Sequence, residues 1–592
     1  MPMLKAAQEI LQKYYGYKSF RAGQQEIIES ILSQRDTFAV MPTGAGKSVC
    51  YQIPALLLPG ITLVVSPLIS LMKDQVDALN GIGIPAAYIN SSLGYDQVDE
   101  ILNAAESGKI KILYIAPERL KSRRFEELIT SLEVSLIAVD EAHCVSQWGH
   151  DFRPSYRLIT PFIESFSQRP PVSAFTATAT NEVSKDVVDL LGLKRPSIFV
   201  TGFNRDNLYF GVIRGEDKRD FVLEYIKAKG EAAGIIYAAT RKEVDALHAY
   251  LVKKGYSAGR YHAGMEAEER KNSQDAFLYD DVQIMIATNA FGMGIDKSNI
   301  RFVIHYNMPK NLEAYYQEAG RAGRDGATSE CILLYGPRDV SLQKFLIEQS
   351  TLLEEKKDYE YKKLQAMVDY CYTSQCLRKY ILHYFGETNT PENCTNCSTC
   401  SQDLEYQDIT IQAQKIISCV VRMKERYGIS LVAKVLKGSS SQEIIKLGFE
   451  TLSTYGLMSK HTIKEIKELI SYLVAENFLE ITGGQYPIVK LQQKAVSAIK
   501  KREQVFRPVR KKDDKRTPDN QLFDLLRLAR KDIAAREQIP PYIVFSDSTL
   551  QEMTKICPVD RNTFLTVKGV GEVKLERYGN EFMEVIKQYL AQ

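Results

Sequence analysis

Met41-Pro42-Thr43-Gly44-Ala45-Gly46-Lys47-Ser48 lies between an apolar run, Thr37 to Val40, and an amphipathic run, Val49 to Leu58. Strand, glycine turn and helix in that order form a phosphate cradle, because small residues leave backbone N–H groups unhindered and a helix N-terminus faces the anion. Thr43, Gly44, Ala45 and Gly46 supply the cradle, the Lys47 ammonium reaches the β- and γ-phosphates, and the Ser48 hydroxyl suits Mg²⁺. The strict pattern has glycine where this chain has Met41. Support comes from Val139-Asp140-Glu141-Ala142-His143, where Val134 to Val139 reads as a buried strand ending in two carboxylates. A metal-holding acid, Asp140, followed by an acid able to activate water, Glu141, is what nucleotide hydrolysis requires. ATP and Mg²⁺ are the expected ligands.

A chain of 592 residues is too long for one core and divides into roughly three to five domains. Apolar content of 45% and charged content of 25% are those of a globular protein. No apolar run reaches membrane-spanning length, and Met1 to Tyr17 is amphipathic without a signal-peptide pattern, so a cytoplasmic protein with no membrane partner is expected. Ten cysteines without a secretion signal point to metal binding over disulfides. A net charge of +3 leaves nucleic-acid contacts to local patches.

Residues 1 to about 205 alternate buried strands with amphipathic helices, the pattern of a parallel α/β sheet. The strands are expected at Phe38–Met41, Ile61–Ser66, Ala86–Ile89, Ile112–Ile115, Leu136–Asp140 and Val172–Thr176. A second α/β unit runs from about Gly211 to Arg338, with strands near Gly234–Tyr237, Gln283–Ala287, Phe302–His305 and Cys331–Tyr335. It has no phosphate loop, so its contribution to a shared nucleotide site falls to Tyr315 to Gly326. There Arg321 and Arg324, three apart and on one face if the segment is helical, can act as arginine fingers.

With these segments in hand the chain resembles the RecQ-family DNA helicases of superfamily 2 over nearly its whole length. The resemblance is carried by Tyr15-Gly16-Tyr17 with Phe20-Arg21 and Gln24, the phosphate loop, Ser66 to Met72, Asp140 to His143, Ser173 to Thr180, Thr288 to Asp296 and Gln317 to Arg324. The family's usual phosphate loop shares the Met41 departure. The resemblance implies that Tyr17 packs on the adenine, Arg21 contacts the nucleotide, Gln24 reads the adenine edge and Gln317 joins the nucleotide site. It also implies two RecA-like lobes, 3′-to-5′ movement on single-stranded DNA, and a role on branched DNA in repair, recombination and the SOS response. A bacterial, nucleoid-associated setting follows, with single-stranded-DNA-binding protein as a candidate partner. The rivals are an RNA helicase and a nucleic-acid-binding scaffold with a decayed ATPase. Cys144 to Pro154 resembles the family's aromatic-rich loop, in which Trp148, Phe152 and Arg153 can stack on bases and report DNA binding to Asp140 and Glu141; the competing reading is a Trp and Phe buried between lobes.

From about Val340 the alternation gives way to helical patterns at Leu342–Leu353 and Lys356–Tyr372. Cys394, Cys397 and Cys400, with Cys376 on a preceding helix, fit a closed tetrahedral Zn²⁺ site. Cys371 and His383 compete for the fourth position, and an iron–sulfur cluster is the chemical alternative; the family resemblance favours zinc. Leu404 to Gln493 reads as a winged helix, with helices near Ile409–Tyr427 and Ser441–Gly448 and a third opening on the capping box Thr462-Ile463-Lys464-Glu465. Lys464 and Lys467 fall off its apolar stripe, as on a duplex-binding helix, and Leu479–Leu491, turning at Gly483-Gly484, makes the wing. Ala495 to Asn520 is basic and reads as a mobile linker. Gln521 to Gln592 resembles the helicase-and-RNase-D C-terminal (HRDC) domain, all helical, with Thr566 to Glu572 either aiming amides at a phosphate or making a tight turn. The expected domains are therefore 1–208 and 209–340 for the lobes, 341–403 for the helical zinc-binding subdomain, 404–494 for the winged helix, 495–520 for the linker and 521–592 for the C-terminal unit.

Overall fold

The computed structural model describes residues 2–90, 93–149, 151–292, 297–350, 352–388, 390–401, 404–482, 487–496, 503–510 and 521–590. The first lobe is a seven-stranded sheet of β1 (Thr37–Val40), β2 (Ile61–Val65), β3 (Ala86–Ile89), β4 (Ile112–Ile115), β5 (Val134–Val139), β6 (Val172–Thr176) and β7 (Ser197–Val200). Its order is β3-β4-β2-β5-β6-β1-β7 and every pairing is parallel. Helices cover both faces, so β1 and β2 are apolar at nearly every position and buried throughout. The second lobe holds β8 (Leu208–Arg214), β9 (Gly234–Tyr237), β10 (Ala258–Tyr261), β11 (Ile284–Ala287), β12 (Phe302–His305) and β13 (Ser329–Tyr335), again parallel, in the order β10-β11-β9-β12-β13-β8.

One apolar core runs through the inward faces of both lobes and on into the helices Glu354–Tyr372 and Leu377–Tyr384, joining Val139, Tyr315, Tyr370, Phe385 and Cys397. The cysteine-bearing segment is thus welded to the second lobe. The winged-helix unit has its own core, around Ile416, Val432, Ile470 and Leu479. Its Ile463–Ala475 helix opens on the capping box read from sequence: Glu465 N–H donates to Thr462 Oγ1 at 3.2 Å, and Thr462 N–H donates to Glu465 Oε2 at 2.7 Å. The wing strands β15 (Leu479–Ile481) and β16 (Val489–Leu491) pair antiparallel, while the Gly483-Gly484 turn lies outside the described residues.

The stretch expected as a mobile linker departs from that reading. Phe506–Arg510 forms β17, antiparallel to β14 (Leu404–Asp408), with Tyr406 opposite Pro508. The winged-helix unit is closed by a strand from beyond its expected end, and the Tyr472 hydroxyl fixes it by donating to Phe506 O at 2.6 Å. Proline fits there because a two-stranded ribbon leaves one side of each strand without a ladder partner. The C-terminal unit packs Leu526, Ile533, Leu550 and Phe582 of the helices Gln521–Glu537, Asp547–Ile556 and Asn580–Leu590 with Phe545 and Phe564 from the segments between them.

Candidate active site: a nucleotide cleft built from three parts of the chain

The phosphate loop leaves β1 and enters the helix Lys47–Leu57, with Gly44 and Gly46 at φ of 78° and 82°. At Gly46 the left-handed φ favours glycine, and an added Cβ, 2.5 Å from Gln24 Nε2, would also push that amide aside. Asp140 and Glu141 follow β5, two strands from β1, so loop and acids emerge at the same sheet end roughly 10 Å apart. The acids are held tightly. Glu141 N–H donates to Asp140 Oδ1 at 2.9 Å, and the buried Tyr156 hydroxyl donates to Asp140 O at 2.7 Å. Glu141 takes left-handed backbone angles, φ 47° and ψ 46°, an uncommon posture for glutamate that turns its carboxylate into the cleft. Burial pushes the His143 imidazole down to about 4, so it is neutral, and its Nδ1 lies 2.8 Å from Thr176 Oγ1 on β6.

A cavity of about 710 Å³ lies over this surface, and Tyr17, Arg21, Gln24, Thr43, Gly44, Gly46, Lys47, Ser48, Asp140, Glu141, Gln317, Arg321 and Arg324 all line it. Ala45 lies beneath, packed on the first lobe's core. Arg321 and Arg324 are not on a helical face, because the helix Leu312–Ala319 stops at Gly320 and both arginines sit in the turns that follow, with Gly323 at φ 57°. The turn still brings them in: an added Cβ on Gly320 would meet Thr43 Oγ1 at 1.8 Å, so only glycine lets this segment rest on the phosphate loop. Arg321 Nη1 donates to Gly292 O. Gln24 does not extend a free amide: its Nε2 donates to Ala45 O at 3.0 Å and Gly46 O at 3.2 Å, and its Oε1 accepts from Arg21 N–H at 2.9 Å. Arg21 Nη1 donates to Gly44 O, with its guanidinium 5.9 Å from the Tyr17 ring. The family segment Thr288 to Asp296 runs partly through 293–296, outside the described residues.

Two contributors were not read from sequence. Arg205, in the connection between lobes, donates from Nη1 to Thr43 O and from Nη2 to Ala322 O at 3.1 Å and Gly323 O at 2.8 Å, so one guanidinium joins the phosphate loop to the arginine turn. The second is the C-terminal unit, whose Thr566, Lys568, Gly569 and Lys574 line the same cavity. It is docked by close backbone contact, an added Cβ on Gly16 falling 2.8 Å from Gly571 N, and by buried ions. Arg530, fully buried, pairs with Asp547 at 2.8 Å and Asp280 at 3.9 Å, Lys297 pairs with Asp280 at 2.5 Å, and Arg301 reaches Asp325 at 2.7 Å and Asp547 at 3.7 Å. The hairpin Thr566 to Glu572 thus faces the chain's own cleft. Burial lowers the Lys574 ammonium to about 8, its Nζ donating to Ile543 O at 2.6 Å.

The aromatic-rich loop packs on the helix Glu354–Tyr372. Trp148, half-buried, stands edge-on to Tyr359 at 5.2 Å, and the Lys356 ammonium lies 6.0 Å from Trp148 and 5.9 Å from Phe152. Arg153 is tied to Asp151 at 3.1 Å and donates to Pro67 O at 2.7 Å. Lys464 is exposed and Lys467 half-buried on the outer side of the Ile463–Ala475 helix, far from the cleft in sequence and in a separate core unit.

Cys376, Cys394, Cys397 and Cys400 place their sulfurs within 4.8 Å of one another, with Cys376 and Cys397 4.0 Å apart. Sulfurs around a tetrahedral Zn²⁺ stand about 3.8 Å apart, so the set fits the ion. The competitors fall away: Cys371 is buried in the core, and His383 Nε2 lies 2.9 Å from Thr390 Oγ1. The loop also extends the second lobe's sheet, as Cys397 bridges to Phe210 of β8 and Ser398 N–H donates to Phe210 O at 2.8 Å.

Among the described residues no helix is long and apolar enough to cross a membrane. Five family models match in order: DEAD/DEAH box helicase over residues 21–187, helicase conserved C-terminal domain over 217–326, RecQ zinc-binding over 337–401, RQC domain over 404–516 and HRDC domain over 519–586. The zinc-binding match decides against the iron–sulfur alternative for the four cysteines. The chain is 48% identical over 588 residues, 99% of either chain, to a protein of Bacillus subtilis named ATP-dependent DNA helicase RecQ. It is 40% identical over 605 residues, 99% of this chain and 96% of the other, to a protein of that name from Haemophilus influenzae. It is 33% identical over 612 residues, 99% and 84%, to ATP-dependent DNA helicase Q-like 2 of Arabidopsis thaliana. Matched along its whole length by the family's modules and by relatives at this identity, the chain belongs to the RecQ family of helicases.

Proposed function

We propose that this protein is an ATP-dependent DNA helicase that moves 3′-to-5′ along single-stranded DNA and unwinds duplex and branched DNA in repair and recombination. The observation that carries the reading is that Lys47, Asp140 and Glu141 of one lobe and Arg321 and Arg324 of the other face a single cavity. ATP phosphates rest on the amides of Thr43 to Ser48, with Lys47 against the β- and γ-oxygens. Ser48 and Asp140 hold Mg²⁺, which when bound neutralises phosphate charge. Glu141 positions the attacking water and takes its proton, while Arg321 and Arg324 steady charge developing on the γ-phosphoryl group. Tyr17 stacks on adenine, Arg21 and Gln317 touch the nucleotide, and Gln24 reads the adenine edge once its amide swings out from Ala45 and Gly46. ATP closes the lobes, and hydrolysis reopens them and advances one lobe along the strand.

The unit boundaries expected from sequence serve this scheme, with Phe506–Arg510 moved from the linker to the winged helix. Trp148, Phe152 and Arg153 sense the strand, and Lys464 and Lys467 touch duplex phosphates. A nucleoid-associated enzyme working beside single-stranded-DNA-binding protein fits this chemistry. Tailed duplexes with DNA or RNA strands of each polarity provide the test: unwinding is expected on DNA with a 3′ single-stranded tail, and equal unwinding of RNA duplexes or of 5′-tailed DNA would overturn it.

The Trp148 assignment has its own check. Trp148→Ala is expected to keep ATP affinity and most DNA affinity, which comes from Lys and Arg contacts with phosphate, while losing DNA stimulation of hydrolysis. A structural tryptophan would instead cost roughly 3–5 kcal/mol of stability and depress all activities together. Melting temperature and ATPase rate with and without single-stranded DNA separate these results.

A further inference from the structure

The helix Glu354–Tyr372 holds the Trp148 loop from beneath, and one of its side chains reaches further. The Lys363 side chain is 5% exposed, and its ammonium faces three groups: a backbone oxygen, a carboxylate and a ring. It donates to the Trp148 backbone oxygen at 3.2 Å, pairs with Glu313 Oε1 at 2.9 Å and lies 4.6 Å from the centroid of Tyr359, the ring against which Trp148 packs. Glu313, equally buried, stands in the first turn of the helix Leu312–Ala319. The far end of that helix carries Gln317 and passes through Gly320, which rests on Thr43, into Arg321. Lys363 therefore touches the DNA-facing loop of the first lobe and the arginine-bearing helix of the second.

We propose that Lys363 is a positioning residue for ATP hydrolysis, tying the Trp148 loop to the Leu312–Ala319 helix so that a base stacked on Trp148 shifts Arg321 against the γ-phosphate. The proposal rests on the reading of Trp148 as the strand sensor. Its physical basis is the cost of separating buried charges: an ammonium and a carboxylate this enclosed stay together when either moves, because parting leaves both unsolvated. A loop displaced by a base thus drags Glu313, and with it the helix, whereas an exposed pair would part and re-form through water. Lys356, which donates to Gln147 Oε1 at 2.7 Å and lies against the Trp148 and Phe152 rings, anchors the same loop to the same helix, and among the described residues its ammonium meets only the first lobe, so it holds the loop without relaying its motion.

The test compares Lys363→Met, the double variant Lys363→Met/Glu313→Gln, Lys363→Arg and Trp148→Ala in the full-length zinc-loaded protein. ATPase kcat is measured without DNA and at saturating oligo(dT), together with the Kd for labelled oligo(dT) and the melting temperature. Lys363→Met alone strands the Glu313 charge, so the double variant, which removes both charges, is the deciding one. The ratio of DNA-stimulated to DNA-free kcat is expected to fall roughly tenfold or more, with the oligo(dT) Kd changed less than roughly twofold, and Lys363→Arg is expected to restore it by donating to both partners. Undiminished stimulation in the double variant overturns the relay, as does an equal loss of kcat with and without DNA. If Trp148→Ala keeps its stimulation, the sensor reading itself fails; if Trp148→Ala loses it and the double variant keeps it, the relay alone fails.

Discussion

Replacing Lys47 by alanine is expected to lower ATP turnover roughly 10³-fold or more, the scale of losing a preorganised charge at a site of developing negative charge. Three neighbouring cations are already engaged with backbone carbonyls. Arg21 is bound to Gly44 O, Arg205 to Thr43 O and the Ala322 and Gly323 carbonyls, and Arg321 to Gly292 O. Lys47 sits at the first position of its helix with Nζ 3.4 Å from Met41 O, so its ammonium already lies along the loop. Glu141→Gln completes the pair of variants, because an amide keeps the shape of the side chain but cannot take a proton from water. That protein is expected to bind ATP with near-parental affinity and hydrolyse it very slowly. Steady-state turnover and binding of a fluorescent ATP analogue make the measurement, and turnover within tenfold of the parent in either folded variant would remove Lys47 or Glu141 from the site.

The second large effect is expected from the metal. Zinc analysis should give one ion per chain, and Cys397→Ser should lose it and lower the first thermal transition by roughly 10 °C or more, at ~2–4 °C per kcal/mol for a unit of this size. The reason lies in the composition of the loop itself. The loop from Cys394 to Cys400 contributes few apolar side chains, and structural zinc supplies roughly 10–16 kcal/mol of folding free energy in small domains. Cys376 caps the helix Leu377–Tyr384, its sulfur accepting from Lys379 N–H at 3.4 Å, so loss of the ion also frees a helix end in the shared core. ATP affinity measured well below the transition should be unchanged, since no cysteine of the set lines the nucleotide cavity. An unchanged melting curve for Cys397→Ser, or a chain that carries iron, would overturn this assignment.

What the sequence disclosed follows from the range of the chemistry. Phosphate loop, paired acids and cysteine spacing are local devices, with the atoms that cooperate lying within a few residues, and the strands β2, β3, β4, β6, β9 and β12 announce themselves as mainly apolar runs. The strands β7, β8 and β10 were not legible. Ser197–Val200 lies outermost and keeps Ile198 and Val200 exposed, Leu208–Arg214 is interrupted by Gly211, and Ala258–Tyr261 contains Gly259 and Arg260. The turn at Arg321 and Arg324 reads equally well as helix, because the clash that forces glycine at position 320 comes from Thr43, far away in sequence. The same holds for the docking of the C-terminal unit. Gly16 against Gly571, and Arg301 and Arg530 about Asp547, are pairings of residues with no local reason to stand out.

The bridge between Cys397 and Phe210 has a bearing on solubility. In the second lobe β8 is the last strand of its sheet, and a terminal strand with free amides and carbonyls is a template for pairing with another molecule. The cysteine loop occupies part of that rim, taking the Phe210 carbonyl with Ser398 N–H and placing Ser398 Oγ 3.3 Å from Val212 N. Stripping the metal is expected to loosen the loop and uncover this border. Chelated protein is therefore expected to self-associate through its sheet before it melts, a result that would make the zinc a gatekeeper against self-association as well as a fastener of the fold.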